Sequence, residues 1–432
     1  MATPNVLVVH AVRQHPLRAT IRDHLYAFDR HAEGDVAHLN LAVRRRVPGW
    51  ARRTDWDLVV FHTSFLATFR WTPDGAPWLR RRAEPLRGLG RVRAALPQDD
   101  FLRCDLVADV MEELGVDHVF TPVPESERAK VYARMDLDRV RFHHALTGYL
   151  ETEEVARMEG IAAEVGEARD LDVGYRAWHA AKWLGRHGQL KTEVARVFAE
   201  EGPKHGLKVD ISTRDEDTLY GDDWSRFLAR SKYTIGCEGG ASILDRDGSL
   251  RAAVYAYEID HPDATFDEVE AACFPGRDGE LALFAISPRH LEACVARTCQ
   301  VLVRGAYDGV LEAGRHYIAL EPDLSNLGDV LDELRRDERR AEIVENAHRD
   351  VVASGRWTYR DFVASVLAVV PSPAGAPVPA VARVQDRLAW TWVALHQRVI
   401  MRAWLAALAA IPGPVKRPLQ KLAMARAQRA AT

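Results

Sequence analysis

Residues 281–294 read Leu-Ala-Leu-Phe-Ala-Ile-Ser-Pro-Arg-His-Leu-Glu-Ala-Cys. The first six are apolar, a run with the length of a buried strand, and it stops at Ile286. Ser287 is a good helix cap, and Pro288 suits the first helical position, where a missing N–H costs nothing. A strand that passes straight into a helix is the repeating unit of a parallel α/β sheet. Its helix start lies just beyond the strand's carboxyl end, and the unpaired N–H groups there attract phosphates. Arg289 sits in the first turn, where a cation does not help the helix and makes sense beside an anionic ligand. Glu292 points a carboxylate into the same cleft.

The rhythm continues in both directions. Downstream, residues 300–304 and 316–320 read as strands, and 327–334 and 336–354 as helices. Upstream, strands are expected at 171–174, 207–212 and 233–236. An earlier set falls at 5–10, 36–41, 57–62, 92–96 and 116–121, with helices at 17–28 and 106–114. Continuous apolar strands alternating with helices predict parallel sheets covered on both faces. The chain is therefore expected to be α/β, with two Rossmann-like domains facing a cleft: residues 1–167 and 168–370. A Pro-rich linker at 371–380 and a basic amphipathic helical tail at 381–432 follow. Ligands of such sheets bind beyond the strands' carboxyl ends. That brings His10, His62, Asp99 and Asp100 to one functional edge, as candidates for a general base.

The 432 residues are 47% hydrophobic and 28% charged, enough for a full core in each domain. A net charge of −4 gives no field that would select nucleic acid. The five cysteines are odd in number and lack metal-ligand spacing, which reads as reduced thiols in a cytoplasmic protein. No secretory signal is seen, nor an apolar run of membrane-spanning length. His143 and His144 have no spacing that suggests a metal, and neither a metal nor a cofactor is expected.

Two further stretches carry candidate chemistry. Asp172-Val-Gly-Tyr-Arg176 and Trp183-Leu-Gly-Arg-His-Gly-Gln-Leu-Lys191 are basic and glycine-bearing; Arg176, Arg186 and Lys191 suit a departing diphosphate, whose charge needs cations. Gly236-Cys-Glu-Gly-Gly-Ala-Ser-Ile243 ends a strand; Gly239 and Gly240 permit close backbone approach, and Glu238 and Ser242 offer hydrogen bonds. No Walker or dinucleotide fingerprint is present there. Residues 245–277 read as an insertion over the cleft.

From about residue 170 to 365 the chain resembles the donor domain of GT-B glycosyltransferases of the glycosyl transferases group 1 type, and within it the spore-maturation-protein-like subgroup. The resemblance rests on Ser287-Pro-Arg-His-Leu-Glu-Ala-Cys, then Cys299-Gln-Val-Leu-Val-Arg, then Gly309-Val-Leu-Glu-Ala-Gly-Arg-His-Tyr-Ile-Ala-Leu320, and on a closing segment with Trp357, Tyr359 and Phe362. It implies a nucleotide-sugar donor held by the second domain and an unidentified acceptor held by the first. Glu292 would hold the donor ribose, and Ser287, Pro288 and Arg289 would form the turn that meets the diphosphate. The family's first Glu falls at Phe284, a departure that favours a non-catalytic nucleotide-sugar-binding or scaffold protein as the alternative; an epimerase of the same fold is a third reading.

The tail has its own pattern. Arg387, Thr391, Arg398 and Arg402 fall on one helical face, with Trp390, Trp392, Val393, Ile400, Trp404 and Leu408 over the rest. No acidic residue follows Asp386. Such a helix is expected at an anionic membrane surface, on the cytoplasmic side, and the alternative is a helix packed onto the body.

Overall fold

The computed structural model describes residues 3–15, 17–44, 46–68, 75–166 and 168–401. The first sheet contains β1 (Val6–His10), β2 (Val36–Asn40), β3 (Leu58–His62), β4 (Val92–Leu96), β5 (His118–Thr121) and β6 (Arg141–His144). All pairs are parallel, in the order β2-β1-β3-β4-β5-β6. β1, β3 and β5 are buried along their whole length, as strands covered on both faces must be. β6 was not foreseen. Its sequence, Arg-Phe-His-His, has one strongly apolar residue, because it is a partly exposed edge strand.

The second sheet holds β7 (Leu171–Arg176), β8 (Val209–Ser212), β9 (Ser231–Gly236), β12 (Cys299–Val303) and β13 (Ile318–Leu320), parallel in the order β13-β12-β9-β7-β8. Between β9 and β12 lies a separate antiparallel pair, β10 (Gly239–Ala241) and β11 (Leu283–Ala285). The expected strand at the end of the 281–286 run therefore exists, but outside the main sheet. Gly240 makes this pairing possible. Its φ is 112°, and a Cβ there would lie 1.9 Å from the Leu283 carbonyl oxygen.

The helix Thr152–Val165 packs on the second unit, with Met158 in one core with Leu228, Leu291 and Tyr307. The crossing between units thus precedes it, at Leu150, rather than following it at 167. The chain returns at the same place. Leu150 N–H donates to Trp357 O (2.8 Å) and Tyr359 N–H to Leu150 O (3.0 Å). The helix Tyr359–Leu367 then covers one face of the first sheet, its Tyr359, Phe362, Val363 and Val366 packing with Val6, Val8 and Phe28.

The Pro-rich segment is pinned to the first unit. The Asp57 carboxylate accepts from the Ala374 and Gly375 amides at 2.8 and 2.9 Å. These bonds, and one from the Asn5 amide, hold its pKa below the usual value despite the burial that opposes them. The helix Ala380–His396 follows along β2.

The insertion also departs from expectation. Its helices Ser249–Asp260 and Phe266–Cys273 join the core of the first unit, where Leu244, Leu250, Val254 and Phe274 pack with Phe101, Leu102 and Val107. A backbone bridge pairs Leu102 with Asp245. An excursion from the second sheet is thus built into the first domain.

Candidate functional site

The carboxyl ends of the two sheets face each other. At the end of β6, His144 Nε2 lies 3.0 Å from Asp308 Oδ1, which follows β12. Thr147 Oγ1 donates to Ile286 O at 2.7 Å. At the rim, the Arg18 guanidinium from the loop after β1 lies 4.6 Å from the Trp178 ring and 5.5 Å from the Tyr220 ring. These contacts define an interdomain cleft, where open α/β sheets bind ligands.

The helix Pro288–Val295 starts at this cleft, with Ser287 as its cap. The Ser287 side chain makes no capping hydrogen bond. Pro288 packs against the first unit: a Cβ on Gly148 would meet Pro288 Cγ at 2.7 Å. Glu292 is half-buried, and its Oε2 accepts from Trp224 Nε1 at 2.7 Å. Burial raises its pKa, opposed by the Trp224 hydrogen bond and the Arg289 charge. Arg289 is exposed, donates to Arg176 O at 2.9 Å and lies 5.9 Å from the Trp224 ring. Glu292, Trp224 and Arg289 thus form one cluster at the helix start. A shallow groove continues from it past Tyr149 and Tyr359 to Thr20 and Asp23 of the first unit.

The four expected cations divide. Arg176 is turned under the sheet, bonded to Asp210 Oδ1 at 2.8 Å and lying over Phe227. Arg186 is held by Asp267 and Glu270 of the insertion and by Asp278, which follows it directly. Arg289 and Lys191 have no carboxylate partner among the described residues. The Lys191 charge acts on His187, Cys237 and His290, which places it at the carboxyl end of β9. His187 and His290 are both lowered to about 4, chiefly by burial.

Glu238 is buried and serves the backbone. Its Oε1 accepts from the Tyr307 amide at 2.7 Å, while burial raises its pKa. A Cβ on Gly305 would come within 2.2 Å of Glu238 Oε2, so the carboxylate and this loop interlock. The loop carries Tyr307 and Asp308 at φ 44° and 53°, a region that bulky residues rarely enter. Gly239 and Gly240 belong to β10, behind this carboxylate. Ser242 Oγ donates to Asp278 Oδ1 at 2.7 Å, and Asp278 Oδ1 also accepts from the Arg186 amide at 2.8 Å. The start of the helix Gly185–Glu201 is therefore already occupied by a carboxylate of the protein itself.

In the first unit, His10, His62 and Asp100 lie below the surface, at 0%, 1% and 1% exposure. His62 sits between His24 (2.9 Å) and Ser64 Oγ (2.8 Å). Neither ring nitrogen of His10 has a hydrogen-bond partner among the described residues, and Trp390 stacks on it at 6.2 Å. Asp100 accepts from Tyr132 at 2.8 Å. Asp99 alone of the four is exposed, in the left-handed region at φ 56°. Three residues of the cleft were not singled out from the sequence: His144, Asp308 and Trp224. Their signal is weak because each gains meaning only from a partner remote in the chain.

No family model matches this sequence, and no curated protein matches it. Among solved structures, the chain is similar to Anabaena Alr3699/HepE in complex with UDP (TM-score 0.45, 11% identity, 84% of this chain and 100% of that chain). It is also similar to sucrose-phosphate synthase from Thermosynechococcus elongatus (TM-score 0.47, 8% identity, 85% of this chain and 98% of that one). A third is OtsA in its apo form (TM-score 0.44, 11% identity, 86% and 99%). The fold class itself is defined by the two parallel sheets and their facing carboxyl ends: this is the GT-B arrangement.

Proposed function

We propose that the protein is a metal-independent glycosyltransferase, moving a sugar, of hexosyl or related type, from a nucleoside-diphosphate donor to an acceptor hydroxyl. The observation that carries this reading is a pair of cations without carboxylate partners among the described residues at the carboxyl edge of the second sheet: Arg289 beside Glu292, and Lys191 near the end of β9. Arg289 in the first turn of its helix and Lys191 near the end of β9 suit the charge that develops on a leaving diphosphate. In this reading Glu292 accepts from the ribose hydroxyls, with Trp224 fixing its orientation. The bond from the sugar's anomeric carbon to the diphosphate oxygen breaks, and a bond to the acceptor oxygen forms. The acceptor proton passes to a base.

His144 suits that base. Its Nε2 lies 3.0 Å from Asp308 Oδ1, a carboxylate that can orient the ring and stabilise its charged form, and its side chain is 45% exposed in the cleft. Asp99 is the remaining solvent-open candidate of the first unit. The resemblance of its motifs to the spore-maturation-like subgroup supports a role in surface polysaccharide or glycoconjugate synthesis, peripheral to the inner face of a membrane.

One observation favours a non-catalytic donor-binding protein. Phe284 stacks on His187 at 3.7 Å where the family's first Glu stands. A thermal-shift screen against nucleoside diphosphates, followed by product analysis with the matching nucleotide sugars, separates the two. Binding with sugar release or transfer that is insensitive to chelators supports the transferase. Binding without turnover supports the scaffold, a 2-epimer product selects the epimerase, and no binding removes all of these readings.

A further inference from the structure

Nine large apolar side chains are exposed among the described residues, and six of them lie on one helix: Val381, Val384, Leu388, Trp392, Leu395 and Val399. Steps of three and four residues put them in a single outward stripe. The opposite face is spent on the protein: Ala382, Ala389 and Val393 are buried, and Trp390 is turned inward against His10 and Tyr26. So the outward face is not an accident of a loosely placed helix. The helix is fixed by Arg383–Asp35 (2.7 Å), by Trp50 Nε1 to Gln385 Oε1 (2.9 Å) and by Gln397 Nε2 to Arg13 O (2.6 Å).

The stripe needs a cover, and charge decides which. Arg383, Arg387 and Arg398 are exposed beside it. The remaining sequence to residue 432 contains Arg402, Lys416, Arg417, Lys421, Arg426 and Arg429 and no acidic residue. A second copy of the same face would set arginines against arginines. An anionic lipid surface meets both the apolar stripe and the flanking cations.

We infer that the outward face of the 380–401 helix is the membrane-docking surface, and that it sets the cleft at the bilayer. This rests on the membrane clause of the function proposed above and gives it a specific face. The helix starts beside Asp35, at the amino end of β2, and reaches Arg13, past the carboxyl end of β1. It therefore runs toward the cleft side of the first sheet and reaches the loop that carries Arg18. An acceptor borne by lipid would meet the first unit there.

The test is flotation of the full-length protein with phosphatidylglycerol–phosphatidylcholine vesicles, compared with phosphatidylcholine alone, and with the triple variant Leu388→Ser, Trp392→Ser, Leu395→Ser. The three side chains are 62%, 48% and 61% exposed, so the fold should survive their loss. The expected result is salt-sensitive binding to the anionic vesicles that falls at least tenfold in the variant, with an unchanged melting temperature. Equal flotation of the variant overturns the inference. So does a wild-type dimer that the variant dissolves, since the cover is then a second copy. A melting temperature lowered in the variant also overturns it, since the stripe is then covered by the chain's own remaining segment. Vesicle binding without any nucleoside-diphosphate binding would keep this face and remove the transferase reading.

Discussion

At the scale of single residues, the decisive property is whether a charged group already has a partner. Arg176 and Glu292 were both expected in the donor site from sequence position alone. Arg176 is bonded to Asp210 beneath the sheet, whereas Glu292 has one hydrogen bond, from Trp224, and a neighbouring cation. Glu292→Gln is therefore expected to weaken nucleoside-diphosphate binding about tenfold, an interaction of about 1.4 kcal/mol, with little change in melting temperature. Arg176→Ala should do the reverse, lowering the melting temperature more than the affinity; a titration followed by calorimetry or fluorescence reads both. His144→Ala should reduce turnover by about a hundredfold, within the usual span for a general base, and leave donor affinity alone. Equal losses in both quantities would make His144 a binding or closing residue instead. None of this division was legible in the sequence. Arginine, glutamate and histidine look the same there whether or not a remote carboxylate has claimed them.

Among the elements, the strands of both sheets were the most legible part, because a strand buried on both faces must be continuously apolar. The exceptions have physical causes. β6 is an edge strand and carries polar residues, and β11 is apolar but pairs with β10 through the space left by Gly240. The insertion was visible as an interruption of the rhythm, but its docking partner was not, since an apolar helical face does not name the surface that covers it. Asp278, directly after the insertion, does two jobs: it pairs with Arg186 and caps the start of the helix Gly185–Glu201. Asp278→Ala should cost about 1 kcal/mol of stability, as the loss of a helix cap does. It should also speed proteolytic cleavage within residues 245–277. Chemical denaturation and limited proteolysis check the two parts, and an unchanged cleavage rate would mean that the apolar contacts alone hold the insertion.

For the whole molecule, pH is the variable with the clearest sign. His10 and His62 are held well below their ordinary range by burial, and His24 is lowered from 6.5 to about 4 for the same reason. Between pH 6.5 and 4 the unfolded chain binds protons that the folded chain refuses, so stability is complete above this window and falls as pH drops through it. His24 alone is worth about 3 kcal/mol over that range. Melting temperatures measured from pH 7.5 to 4.5 should fall steeply below about pH 6.5, near the ordinary histidine pKa, and His24→Gln should flatten the curve. A flat wild-type curve would mean that these rings are solvated. The crossing at Leu150 and Tyr359 has a different consequence, for synthesis. Asp57 and the Ala374 amide that binds it lie 317 residues apart, and the helix Tyr359–Leu367 is added to the first unit only after all of the second has been made. On the ribosome the usual order is inverted: the later unit can finish first, while Val6, Val8 and Phe28 wait uncovered for their helix. A nascent chain halted before residue 359 therefore offers a bare sheet face to chaperones.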